Sequence, residues 1–131
     1  MTVPVSRPLK VLVAEDHLLH QRLITSTLKE LGHTGIVVVD GEKALKASSQ
    51  IAFDLIIMDV NMPVLDGVNA VAQMQARDRS LGKRTPPIIM ATSHDLPGDR
   101  ERLLAIGAQG YIAKPVDRER LHAEISLVLG R

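Results

Sequence analysis

The sequence has no cysteine and no tryptophan, and only one tyrosine and one phenylalanine in 131 residues. Without thiols there is no disulfide framework, no thiolate nucleophile and no cysteine-ligated metal. With aromatics at 2%, the core has to be aliphatic, which suits a buried parallel sheet rich in Val, Ile and Leu. An excess of either charge is missing too: 16 basic residues against 15 acidic ones leave a net +1. That balance gives no basic footprint for direct nucleic-acid binding. No apolar run approaches the ~20 residues of a membrane-spanning helix. The first residues lack the apolar core of a secretory leader, so a cytoplasmic location is expected. Pro4, Ser6 and Pro8 give residues 1–8 the character of a flexible tail or linker. Residues 9–131 are then one domain, long enough for a single core.

Five short apolar runs are present, at 9–14, 36–39, 55–58, 88–91 and 111–113. They are continuous rather than alternating, as expected of strands buried on both faces. Helical spacing fills the gaps. Leu19, Leu23, Ile24, Leu28 and Leu31 mark one face of a first helix, and Gly32 stops it. Asp40-Gly41 opens a second helix, and Val68, Val71, Ala72 and Gln75 suggest a third. Pro97 is placed in the first turn of a fourth, which Gly107 ends. Asp117 caps a fifth, with Leu121, Ile125, Val128 and Leu129 as its inner face. The result is an α/β fold, βα repeated five times, with a parallel sheet between two helix layers.

Each strand ends in polar residues that this topology brings to one edge. Glu15-Asp16 follows the first run, Asp59 the third, Thr92 the fourth and Lys114 the fifth. Ligands bind at the C-terminal edge of such sheets. Taken singly, these residues read as helix caps, turn residues or a solvated lysine. Together, three carboxylates repel one another unless a cation lies among them. Hard oxygen donors of this kind suit Mg²⁺, and carboxylates act as nucleophiles in phosphoryl transfer. Lys114 offers a point charge for a phosphoryl oxygen, and Thr92 a hydroxyl donor.

The segments VLVAED ending in Glu15-Asp16, MDVNMPVLDG from Met58 to Gly67, ATS from Ala91, and YIAKP from Tyr111 to Pro115 resemble those of response-regulator receiver domains. Several finer segments look like the receivers of hybrid histidine kinases. The resemblance implies a flavodoxin-like (βα)5 fold with strand order 2-1-3-4-5. It implies that Asp59 accepts a phosphoryl group from a phosphohistidine, which makes the chain a phosphoacceptor switch in two-component or phosphorelay signalling. Glu15, Asp16, Asp59 and the backbone carbonyl of Asn61 would hold Mg²⁺, with Mn²⁺ as a substitute. Thr92 and Lys114 would contact the phosphoryl oxygens, and Thr92 with Tyr111 would form the switch. The Lys114-Pro115 bond would be cis. Asn61, Ser93 and His94 occupy positions that tune phosphoryl lifetime in the family. The implied partners are a histidine kinase or a His-containing phosphotransfer domain. A homodimer through the fourth and fifth helices, using Arg100, Arg102, Asp117 and Arg118, is a further implication. As a stand-alone domain it would be no enzyme, catalysing only its own phosphorylation and dephosphorylation, and it would be a segment of a hybrid kinase if excised from one.

Three other readings compete. An aspartyl phosphatase of the haloacid dehalogenase type needs a second Asp where Asn61 stands. A flavin-binding module needs a phosphate loop where Glu15-Asp16 stands. A degenerate receiver that only binds protein would lack some of the phosphorylation residues. His17 and His20, three residues apart, are read as an exposed helix face rather than a metal site.

Overall fold

The computed structural model describes residues 7–93 and 97–130. Strands and helices alternate: β1 (Lys10–Ala14), α1 (Leu18–Glu30), β2 (Thr34–Val38), α2 (Gly41–Gln50), β3 (Leu55–Asp59), α3 (Gly67–Ser80), β4 (Ile88–Thr92), α4 (Asp99–Ala105), β5 (Gly110–Ala113) and α5 (Arg118–Leu129). All strand pairings are parallel, in the order β2-β1-β3-β4-β5. The chain runs outward from β1 to β2, then returns to the other side of β1 as β3. This reversal opens a crevice beyond the C-terminal ends of β1 and β3.

Strand parity divides the core into two layers. Ala14, Met58, Met90 and Tyr111 share one register row. They pack with Ala44, Ala70, Val71, Met74 and Leu103 from α2, α3 and α4. Val13, Ile57 and Ile89 form the preceding row and pack with Ile24 and Leu28 of α1 and Leu121 and Ile125 of α5. β3 and β4 are buried throughout, as their continuous apolar runs predict. β2 departs from that expectation, with Val37 exposed and Val39 exposed just beyond it. It is an edge strand with a neighbour on one side only, so half of its surroundings are missing.

Local chemistry sets the helix ends. The side chains of Asp40, Asp66 and Asp117 accept N–H bonds from Lys43, Asn69 and Glu119 at the starts of α2, α3 and α5. α1 closes in a Schellman motif: Gly32 at φ 85° donates to Lys29 O, and His33 N–H reaches back to Leu28 O. Two sequence expectations need correction. Leu19 is 69% exposed rather than part of the inner face of α1, because that face begins one turn later, at Leu23 and Ile24. Pro97 lies ahead of α4, not in its first turn, because Gly98 at φ 88° separates it from the helix. The reading of residues 1–8 as a tail falls largely outside the described residues.

Gly67 fixes how closely α3 approaches β3. Its N–H donates to Val60 O, and a side-chain carbon there would collide with the backbone carbonyl of Asp59. Gly67→Ala is therefore expected to cost about 1–3 kcal/mol, read as a lower urea midpoint. An unchanged midpoint would mean that the Asp59 backbone yields freely.

Candidate functional site

The five polar residues do gather at the C-terminal edge of the sheet. β1 and β3 pair with Ala14 opposite Met58, so Glu15 and Asp59 are the next residues along adjacent strands. One carboxylate oxygen from each of Glu15, Asp16 and Asp59 lies within 4.8 Å of the others. Glu15 and Asp59 are buried and Asp16 is exposed, so the cluster opens to solvent on the Asp16 side. Nothing in the local chain prevents the close approach. Glu15 N–H donates to Val38 O, which holds the end of β1, and Gln21 Nε2 donates to the Glu15 carbonyl from α1.

Lys114 reaches into this cluster from the end of β5. Its Nζ lies 2.8 Å from Asp59 Oδ2 and 2.6 Å from Glu15 Oε1. The contact with Asp59 is a hydrogen bond; that with Glu15 is an ion pair whose angles leave Oε1 without a hydrogen-bond donor. The Lys114-Pro115 peptide is cis, and Lys114 N–H donates to Thr92 O at 2.7 Å. Burial alone would lower the pKa of Lys114, but the contacts with Asp59 and Glu15 outweigh it and hold the ammonium above its ordinary value. Burial raises the pKa of Glu15, with Lys114 opposing it.

Three carboxylates and one ammonium leave two formal negative charges in a partly enclosed space. That deficit, and a donor set made only of hard oxygens, fit a divalent cation such as Mg²⁺. Asn61 is exposed, and its N–H donates to Asp59 Oδ1 at 3.1 Å. This bond turns the β3–α3 loop back over the carboxylate. Thr92 is buried at the end of β4, one residue beyond the register row of Asp59. Tyr111 is buried on β5, with its backbone N–H held by Glu124 Oε2 of α5. Ser93 is exposed, and His94 lies outside the described residues.

One residue at this site was assigned elsewhere by sequence reasoning. His20 does not lie on an exposed helix face: its side chain is only 23% exposed, and Nδ1 lies 3.7 Å from Glu15 Oε1. Burial, then the nearby Lys114 ammonium, lower its pKa. No spacing rule could have found this contact, because the turn between Glu15 and α1 sets it. His17, exposed, matches the sequence reading. Arg100, Arg102 and Arg118, considered for an intermolecular interface, form ion pairs within the chain, to Glu124, Asp99 and Glu30.

Comparison with known proteins gives a consistent picture. The family model for the response regulator receiver domain matches residues 11–126. The chain is 35% identical over 124 residues to hybrid signal transduction histidine kinase I of Dictyostelium discoideum, covering 91% of this chain and 7% of that protein. It is 32% identical over 112 residues to the signal transduction histidine-protein kinase BarA of Escherichia coli K12, covering 86% of this chain and 12% of that protein. The chain thus corresponds in length to a small part of each kinase. Among solved structures, the receiver domain of sensor histidine kinase PA1611 from Pseudomonas aeruginosa PAO1 has magnesium coordinated in its active-site cleft. It matches with a TM-score of 0.82 and 34% identity, covering 95% of this chain and all of that one (100%). A chain from the co-crystal structure of Saccharomyces cerevisiae Ypd1, a histidine phosphotransfer protein, with the Ssk1 receiver domain matches with a TM-score of 0.83 and 26% identity, covering 91% of this chain and 87% of that one. With a match this extensive, on a fold whose strand order and acidic edge agree with it, the chain belongs to the response regulator receiver domain family.

Proposed function

We propose that Asp59 is the phosphoacceptor of a two-component or phosphorelay pathway and takes its phosphoryl group from a phosphohistidine on a partner. The observation that carries this reading is the Lys114 ammonium held between Asp59 and Glu15, beside an acidic cluster able to accept a divalent cation. In the transfer, an Asp59 carboxylate oxygen forms a bond to phosphorus as the phosphorus–nitrogen bond breaks. The departing imidazole keeps the bonding pair and takes up a proton. Glu15, Asp16, Asp59 and the Asn61 carbonyl hold Mg²⁺, which supplies neutralising charge for the phosphoryl oxygens when bound; Mn²⁺ serves in its place.

The chain's own residues do the rest. Asn61 N–H fixes Asp59 Oδ1, leaving Oδ2 on the Lys114 side. Lys114 follows the negative charge outward from the carboxylate to the phosphoryl group. Thr92 turns its hydroxyl to a phosphoryl oxygen, and Tyr111, on the same sheet face and diagonal to it across the β4–β5 pair, takes a new rotamer. Ser93, Asn61 and His94 tune the lifetime of the acyl phosphate, as the family resemblance implies; His94 lies outside the described residues.

Leu18 and Leu19 at the start of α1, and Val64 in the β3–α3 loop, are 60%, 69% and 75% exposed. These apolar side chains follow Asp16 and Asp59 closely in sequence, and they suit docking of a histidine kinase or a His-containing phosphotransfer domain. Among the described residues, no helix is long and apolar enough to cross a membrane. The domain works on the cytoplasmic side, as a switch rather than a stand-alone enzyme, and is a segment of a hybrid kinase where its relatives are. A homodimer through α4 and α5 would have to use groups other than the arginines already paired within the chain.

Incubation with acetyl phosphate and Mg²⁺ is expected to add one phosphoryl group by intact mass to the wild type and none to Asp59→Asn. Uptake by Asp59→Asn at the wild-type rate would place the acceptor elsewhere. Lys114→Ala leaves buried carboxylates with no ammonium and is expected to cost roughly 3 kcal/mol in metal-free protein, measured by denaturation. It should keep Mg²⁺ binding yet lose the change in Tyr111 emission on phosphorylation, which is readable because the chain has one tyrosine and no tryptophan. An undiminished emission change would remove Lys114 from the switch.

A further inference from the structure

Two buried polar atoms face each other without hydrogen-bond partners: Glu15 Oε1 and His20 Nδ1, 3.7 Å apart. Unsatisfied buried atoms of this kind are rare in folded proteins and call for an explanation. The other oxygen of Glu15 is already engaged, since Oε2 accepts His17 N–H at 3.0 Å. Oε1 relies on the Lys114 ammonium alone, which it shares with Asp59.

That sharing cannot outlast phosphoryl transfer. Before transfer, the negative charge nearest Nζ lies on the Asp59 carboxylate. Afterwards it lies farther out, on the phosphoryl oxygens, and Nζ moves with it. Glu15 is 1% exposed, and Oε2, the oxygen on His17 N–H, is the one that would serve the cation, so departure of Nζ leaves Oε1 buried without a donor, a costly arrangement in a medium of low dielectric. His20 is the adjacent group able to replace it. An imidazole carrying its proton on Nδ1 donates to Oε1 after a closure of less than an ångström. The ring sits on the first turns of α1, whose start is anchored to Glu15 through the His17 and Gln21 bonds, so little else has to move.

Resting on the phosphoacceptor reading above, we infer that His20 is a positioning residue that takes over Glu15 Oε1 from Lys114 when the ammonium turns to the phosphoryl group. His20 touches neither phosphorus nor the attacking oxygen; it acts through Glu15. The hand-off makes a distinctive demand. In the resting protein Lys114 still holds Glu15, so loss of His20 leaves Mg²⁺ binding almost untouched. The deficit falls on the step in which Lys114 leaves.

The test compares wild type, His20→Leu and His20→Asn in two measurements. One is Mg²⁺ affinity without a phosphodonor, by calorimetry; the other is the phosphorylation rate from acetyl phosphate at saturating Mg²⁺, by intact mass. His20→Leu is expected to bind Mg²⁺ as the wild type does but to phosphorylate about tenfold more slowly, the lower end of effects for outer-shell partners. His20→Asn, which can still donate to Oε1, is expected to recover most of the rate. His20→Ala is read in the same way should His20→Leu not fold. A His20→Leu protein as fast as the wild type overturns the inference. So does a parallel loss of Mg²⁺ affinity and rate, or equal slowing by Leu and Asn, since either marks a packing role. Wild type that takes up no phosphoryl group overturns the phosphoacceptor reading along with it, whereas normal uptake beside an equally fast His20→Leu overturns this inference alone.

Discussion

One ammonium holds the edge of this sheet together. Glu15 and Asp59 end adjacent strands, and both are buried. Two buried carboxylates so close need a positive charge beside them to offset their repulsion. Lys114, itself only 8% exposed at its side chain, lies between them at 2.6 and 2.8 Å and meets that need. Its main chain is anchored to the neighbouring strand by the bond from its N–H to Thr92 O. The rest of the fold can be seen as the frame that brings β1, β3 and β5 to one edge so that this contact forms.

The same contact leaves the site unfinished in charge. One cation among three carboxylates stabilises the resting fold without neutralising it. A fully compensated cluster would have no electrostatic reason to accept a divalent ion, and an uncompensated one would destabilise the fold. The intermediate condition has Lys114 offset part of the repulsion and leaves a cluster that fits a divalent ion. The exposed Asp16, next to the buried Glu15, gives that metal an approach from solvent.

The strands and the site edge were legible in the sequence because both depend on short-range signals. Continuous apolar runs mark buried parallel strands, and polar residues at their ends mark the edge. What was not legible depends on neighbours. β2 carries the same kind of apolar run as β1, yet Val37 and Val39 reach solvent because nothing pairs beyond it. Leu19 fits a helical apolar face by spacing, but α1 begins before its contact with the sheet does. Pro97 carried a helix-start signal that Gly98 pre-empted by entering the left-handed region. His20 read as surface because its partner, Glu15, lies across a turn whose geometry no spacing rule describes. Strand order came from resemblance, since periodicity carries no information about which strands are neighbours.

On the phosphoacceptor reading proposed above, sheet parity sets the problem of how an event at Asp59 reaches Tyr111. Asp59 shares its register row with Ala91, which packs against the α1 and α5 layer. Tyr111 packs into the other layer, with α2, α3 and α4. Thr92, one residue past Ala91, has the parity of Tyr111. A signal starting at the carboxylate therefore has to cross the sheet. Lys114 joins the two sides: its side chain grips Asp59 and Glu15, while its backbone N–H donates to the Thr92 carbonyl. The 2.7 Å hydrogen bond from Lys114 N–H to Thr92 O ties the residue that grips the carboxylates to the end of β4. Glu124 holds Tyr111 N–H and pairs with Arg100 of α4. The outer edge of β5 is thereby tied to both α4 and α5.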